Sequence, residues 1–573
     1  MKQAIIVVPL FLLLLAILYL FIPVFPDRVS HESFISGDAH IVISQYDLQD
    51  RIAELGSSPL GRTIADLRYE VVGREMGLSD DEIRRFLKLK DDIKKNYQNP
   101  LVQMLVGKEV SIALLPFSDH EALDFVEQIT DHLLVISRPS QNARLMDVAT
   151  WAISSDERIA TVRYGTHTIT RFSLEDARRL SVARVRDVVV MSLNEKVLRQ
   201  SLDLYDGDRQ GLRESEEYQS KIEHFDGASF VGYFNFAGLP DLVNRAIQES
   251  PSDNERLLLI DKEKVEAYQS AIFGAWSEEN TIIDKAVISF DPKLLDEQPN
   301  SKMLSKAGLP QSFKRVSQDT IIYHWSNQFS PKTILGMLGQ DPSLSDATET
   351  QFVGELSKIT GLTADQLFDL FDNDLTLAVR GINEDQLVPM PRFLLSVKSE
   401  DVEKLTKVVD SLIDHYSIPV RRSSLGDTNI ISWGGIIGIG SILPTLSFTD
   451  DSAIISSNRQ QIKNYVAPDG IQSLADLESF QAMSTALLKP SHSFTYVDFA
   501  QTADMLQEMV SWGGTMLALK DKELARKSKV LIDDLINPLL EGLSMYSIIG
   551  SRKYLEGNTI ILESITKIDN GNQ

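Results

Sequence analysis

Nine histidines and several tight groups of carboxylates are the residues of this chain whose types could do chemistry. The histidines are His31, His40, His120, His132, His167, His224, His324, His415 and His492. No two lie four apart on one helix and there is no His-Glu-x-x-His, so the helix-borne zinc site of a metallohydrolase is not indicated. His120 and His132 are the pair left to converge with carboxylates. Asp369, Asp372 and Asp374, and the pair Asp450-Asp451, invite a calcium reading. An EF-hand loop needs a glycine at its sixth position and a closing glutamate at its twelfth, and neither run supplies both. Turn residues and helix-end charges account for them. The most glycine-rich stretch, Gly434 to Ser441, lacks the Lys-Ser/Thr of a phosphate loop and the G-x-S-x-G of a nucleophile elbow. Pro444 follows it and then another strand, so it reads as an apolar hairpin tip. With no cysteine in the chain, thiolate metal sites, thiol nucleophiles and disulfides are all removed. No catalytic residue, metal site or cofactor is therefore assigned. What remains is a contact patch for a lipid or partner protein, formed by Ile436, Ile437, Ile439, Ile442, Leu443 and Trp512, against the plainer reading that these residues cover the core. The stretch from Trp512 to Lys529 reads as an insertion with an amphipathic helix, fit either for packing or for docking a partner.

The element that decides where such residues act is the first apolar run. Ala4 to Phe25 holds about 22 residues without a charge, roughly 33 Å as a helix, which spans a hydrocarbon core of about 30 Å. Signal-peptide cores are shorter, and the exit Phe21-Ile22-Pro23-Val24-Phe25-Pro26 has no small-residue cleavage site. The run therefore reads as an uncleaved transmembrane anchor. Lys2 precedes it, and large domains translocate largely regardless of flanking charge. The expectation is a cytoplasmic tail over 1–3, a span over 4–25, a polar tether over 26–37, and the remainder outside a bacterial inner membrane, in the periplasm or beyond. A net charge of −24 argues against a nucleic-acid partner, which needs clustered Lys and Arg. It argues equally against electrostatic adhesion of the exported bulk to anionic lipid.

Beyond the anchor the chain is written twice. Gly77-Leu78-Ser79-Asp80-Asp81-Glu82 recurs as Gly361-Leu362-Thr363-Ala364-Asp365-Gln366, and in each copy a capping box opens an apolar helical stripe. Glu109 to Leu115 then matches Asp374 to Val379, and Leu133 to Ser137 matches Phe393 to Val397. Val188 to Asn194 matches Ser452 to Asn458, each ending on Asn before a helix. Phe230 to Phe236 matches Phe494 to Phe499, and Asn280 to Ile283 matches Asn558 to Ile561. Asp38 to Ser44 finds its echo from Asp319 onward. The order of these matches predicts a tandem duplication, 38–300 and 314–573, joined by a Pro-bearing linker over 301–313. The fold class expected is α+β: an antiparallel-sheet domain with helices packed on one face, occurring twice after one transmembrane helix.

Thr360 to Asp365 with the Leu375–Val379 strand, and Ser473 to Phe480 with Phe494 to Asp498, resemble the bacterial proteins grouped as domain of unknown function 3352. The resemblance covers most of the exported region. It implies an envelope protein held by one N-terminal segment, with no assigned reaction. In the second half a glycine-rich turn usual before the central strand, kept as Gly107 in the first, becomes Asp372-Asn373-Asp374, where Asn tolerates left-handed backbone. The reading is a non-enzymatic binding or scaffolding protein of the cell envelope. A carrier of a lipid or hydrophobic ligand, favoured by a large apolar cavity, and a hydrolase with an acidic site, favoured by converging carboxylates, are the alternatives.

Overall fold

Side chains along Thr320–Ser326 alternate in burial, with Tyr323 and Trp325 enclosed and His324 half-buried between them. That period of two makes the β-branched and aromatic runs of this chain strands rather than helices. The computed structural model describes residues 28–97, 103, 107–116, 125–139, 158–174, 178–207, 211–248, 265–297, 306–331, 354–382, 389–425, 428–433, 444–468 and 470–569. The expected anchor over 4–25 and the patch residues Ile436, Ile437, Ile439, Ile442 and Leu443 lie outside these. Among the described residues no helix is long and apolar enough to cross a membrane. The chain folds as two compact units, Met1–Leu55 with Arg84–Trp276, and Gly56–Ile83 with Ser277–Gln573.

The sheet of the first unit is built from β1 (Ile41–Tyr46), β2 (Glu109–Leu114), β3 (Leu133–Arg138), β4 (Ile159–Tyr164), β5 (His167–Ser173), β6 (Arg179–Val185), β7 (Val188–Ser192), β8 (Phe230–Asn235) and β9 (Tyr268–Glu278). Its order is β4-β5-β6-β7-β3-β2-β1-β8-β9, antiparallel throughout. The second unit holds β10 (Thr281–Phe290), β11 (Thr320–Ser326), β12 (Phe371–Arg380), β13 (Arg392–Ser399), β14 (Val420–Leu425), β15 (Thr428–Trp433), β16 (Thr445–Phe448), β17 (Ser452–Ser456), β18 (Ser493–Asp498), β19 (Tyr546–Glu556) and β20 (Thr559–Ile568). Its order is β14-β15-β16-β17-β13-β12-β11-β18-β19-β20-β10, again antiparallel. The first nine places of the second sheet thus repeat those of the first.

The repetition reaches single side chains. Asn194 accepts from the Lys196 amide at 3.0 Å, and Asn458 from the Gln460 amide at 2.6 Å, so each caps the helix that follows β7 or β17. The Leu212 amide bonds the Ile35 carbonyl at 2.7 Å, and the Leu474 amide bonds that of Val316 at 2.9 Å. Tyr218 meets Tyr233 edge-on at 5.4 Å, and Phe480 meets Tyr496 likewise at 5.4 Å. Both capping boxes form, Ser79 with Glu82 and Thr363 with Gln366.

Two expectations need correction. Helices cover both faces of the second sheet, not one. Leu394 and Ile454 pack under Ile462 and Phe480, whereas the alternate residues Leu446, Phe448 and Ala453 pack under Leu405 and Ile413 of the Val402–His415 helix. The central strands bury both sets of alternating side chains, so each face needs its own cover. The stretch read as a tether is docked from Val29 onward: Val29, His31, Phe34 and Ile35 are buried, and Phe34 stacks on Tyr205 at 4.9 Å.

At the centre of the second unit, Phe480 touches the rings of Phe313, Tyr323, Phe494 and Tyr496. Truncating it leaves a ring-sized void. Phe480→Ala should cost about 3–5 kcal/mol in urea unfolding, and Phe393→Ala, on a ring 37% exposed, less than about 1 kcal/mol.

Candidate functional site

In the first unit a partly buried charge cluster closes one end of the sheet. Arg138, at the end of β3, pairs with Glu109 of β2 and with Asp187, 2.9 Å away in the β6–β7 turn. Its guanidinium also donates to the Val29 carbonyl at 2.5 Å, while Asp187 accepts from the Val29 amide at 3.2 Å. Beside it His31 Nδ1 lies 2.8 Å from Ser111 Oγ and 3.5 Å from Glu109 Oε1. These are the residue types of a serine hydrolase, but the geometry is not. A general base needs its acid on one ring nitrogen and its nucleophile on the other. Here Nδ1 faces both, Nε2 is buried without a hydrogen-bond partner, and Ser111 is wholly buried. At the equivalent place in the second unit, Ser312 and Thr376 make the same contact at 2.7 Å with no histidine. The cluster is structural.

An open feature of this unit is a cleft of about 810 Å³ at the other end of the sheet, where β8 runs into the Leu239–Gln248 helix and β9 begins. Tyr233, Phe236 and Tyr268 give it aromatic walls, and Glu217, Asp241 and Glu266 bring carboxylates to it; among the described residues none that lines it is a lysine or arginine. Local rules place each group. Ser215 caps the Glu216–Ile222 helix and so sets Glu217 in its first turn. Ser270 Oγ donates to Glu217 Oε1 at 2.7 Å, and buried Lys221 pairs with the same oxygen. The Asn235 side chain accepts from the Ala237 amide at 3.1 Å, turning the chain sharply after β8. Gly238 completes the turn against His40, whose ring atom would lie 2.3 Å from any Cβ there. Phe236 and Tyr268 stand edge to face at 6.3 Å. Burial, reinforced by the Glu217 charge, pushes the Tyr233 hydroxyl up to about 12, and burial raises that of Tyr268. Both phenols are neutral donors at physiological pH. Glu217 is paired with Lys221, while Asp241 and Glu266 present their carboxylates at exposed positions of the lining.

Of the residues singled out in the sequence, Trp512 is half-buried on the Phe499–Lys520 helix, whose far end exposes Met516, Leu517 and Leu519. Asp374 accepts from the Trp325 indole at 3.1 Å, and burial raises its pKa; among the described residues no group of His, Asp and Glu could hold a metal ion. Sequence reasoning passed over the cleft residues. The signals present were the aromatic end of β8 and the Ser215 cap, neither of which indicates that Asp241 and Glu266 share a hollow.

The chain belongs to the family described as "Protein of unknown function (DUF3352)", whose model matches residues 86–531. No curated protein matches it. Similar solved structures include crystal forms IV, III and I of TP0453. Form IV is 11% identical, with 47% of this chain and 85% of that chain covered at a TM-score of 0.24. Form III is 11% identical with 46% and 80% covered, and form I is 8% identical over the same shares, both at 0.24.

Burial, with the Arg138 charge adding to it, lowers the His31 pKa from an ordinary 6.5 to about 3. Between those values the unfolded chain binds a proton that the folded chain refuses, so stability falls as pH drops through this window. The loss should be on the order of 4 kcal/mol by pH 3 and much smaller in His31→Asn. Urea unfolding at pH 7 and pH 4, read by amide exchange in β1 and β2, checks it; equal losses in both proteins would refute the assignment.

Proposed function

We propose that this protein binds rather than transforms its ligand, and that the 4–25 run holds it at a bacterial inner membrane with the bulk of the chain outside the cytoplasm. We read its two halves, 38–300 and 314–573, as a tandem duplication, which the repeated strand order and helix caps support. The observation that carries the binding role is the first-unit cleft, aromatic-walled and acidic, with no cation among its described lining residues. Rings lend a negative face to a bound cation and carboxylates give it charge-assisted hydrogen bonds. The ligand class that fits is a small organic cation, such as an amine. The same carboxylates weigh against a carrier of apolar ligands, since each would be desolvated against alkyl chain. The second unit supports specialisation of the first: Ser479 stands where Glu217 stands, and its hydroxyl bonds Tyr496 at 2.8 Å.

Calorimetric titration of the full chain in nanodiscs with spermidine tests the reading. Saturable binding is expected, weakened about tenfold or more by Asp241→Asn with Glu266→Gln, because each charged hydrogen bond is worth about 1.5–3 kcal/mol. Equal heat from a neutral sugar of similar size, or no loss in the double variant, would end it.

A further inference from the structure

Two rows of side chains stand on one face of β11, β18 and β19, about 4.8 Å apart from strand to strand and about 7 Å from row to row. Register places Ser326, Ser493 and Lys553 in the first row and His324, Thr495 and Ser551 in the second. All six are half-buried, on the face opposite Tyr323, Phe494 and Tyr496. The frame does not require polar groups here. With Tyr233 and Tyr496 as the common point, the same places in the first sheet hold Gln45, Phe230 and Ala275, then Ile43, Gly232 and Phe273. Lys553 is the centre of the cluster. Among the described residues it has no ion pair or hydrogen bond, although the chain holds 81 acids against 57 lysines and arginines. Burial lowers its pKa, and no carboxylate acts to restore it. Across β11, β18, β19 and β20 this face carries no acid; the first is Asp284 of β10, in line beyond Ser551 and Ser564. At the β12 bulge Asp374 is turned to Trp325 on the opposite face, and Asp372 accepts from the Asn373 amide at 2.7 Å. The hydroxyls of Ser493 and Ser551 also have no partner among the described residues. His324 Nδ1 meets Thr495 Oγ1 at 2.9 Å, and the Lys553 charge joins burial in keeping His324 and buried His492 neutral.

We propose that Lys553, with Ser326, Ser493, Ser551 and His324 around it, forms an oxyanion site for a phosphate group. An ammonium brings three donors and a charge, and each hydroxyl or imidazole adds one donor more. Ser326 already accepts from the Gln328 amide at 3.1 Å, which leaves its own O–H to donate. Donors spread over two rows and three strands match the several acceptor oxygens of a tetrahedral phosphate better than the two of a carboxylate. The site lies in the second unit and does not rest on the cleft of the first. Inorganic phosphate and a phosphomonoester would supply the same group.

Acetylation of lysines in the full chain, in a phosphate-free maltoside detergent and read residue by residue by mass spectrometry, tests it. Phosphate at 10 mM should slow labelling of Lys553 at least about fivefold relative to chloride of equal ionic strength, and leave exposed Lys522 unchanged. The protection should be lost in Ser493→Ala with Ser551→Ala. Protection by glycerol 3-phosphate at lower concentration than by phosphate assigns the group to a phosphomonoester, and protection by phosphate alone assigns it to the free ion. Equal labelling of Lys553 in phosphate and chloride overturns the proposal. So does a lysine too sealed to be labelled in either, or protection that survives in the double variant.

Discussion

A cation locked between two carboxylates fixes the end of the first sheet, and the rest of that unit depends on it. Arg138 binds Glu109 at the start of β2 and Asp187 in the β6–β7 turn, and the same guanidinium takes the Val29 carbonyl. Removing one partner of a buried ion pair typically costs about 3–5 kcal/mol, and the Arg138–Glu109 pair, largely enclosed, comes nearest to that case, while Asp187 stays partly open to solvent. Strand register follows from that constraint, since a slip of one residue would turn Glu109 to the opposite face. The second unit keeps the pattern in softer form: Asp374, Lys398 and Asp451 occupy the equivalent strand ends, and the Lys398 and Asp451 charges both act on Asp374.

Against that shared frame the two units differ in what they bury. In the first, Tyr218 donates to Glu32 at 3.2 Å; in the second, Phe480 packs on Phe313 at 5.3 Å. A hydroxyl–carboxylate pair has been exchanged for two rings in the same place, each self-consistent because both partners changed together. The apolar version supports a tight aromatic centre. The polar version sits beside the Glu217–Lys221 pair and the cleft. The two units thus share a strand order while burying different groups at the same place in it.

Much of the frame was legible because it rests on local rules. The Ser79–Glu82 and Thr363–Gln366 boxes, the Asn194 and Asn458 caps and the aromatic eighth strands all carry their cause within a few residues. The double-faced burial of β13 and β17 was less so, because Leu394, Ser396 and Ile454 alternate with residues that are also apolar, and a continuous apolar run does not say how many faces are covered. The cleft was hidden for a different reason. Glu217, Asp241 and Glu266 belong to separate segments, brought together by the Ser270–Glu217 hydrogen bond and by the turn at Gly238 over His40. His31 was read as one histidine of nine, since the Ser111 that meets it lies 80 residues away.

The place of β10 carries a consequence for how the protein is made. Residues 281–290 lie midway along the chain, yet one edge of that strand is completed only by β20, at 559–568. At about 5–20 residues per second, roughly 14–55 s of synthesis separate the two. Throughout that interval a strand bearing Ile282, Ile283, Val287 and Ile288 waits for its neighbour. A nascent chain of this design has reason to recruit a chaperone late, and a stop codon anywhere before the final hairpin would leave a sticky ribbon rather than a smaller working protein.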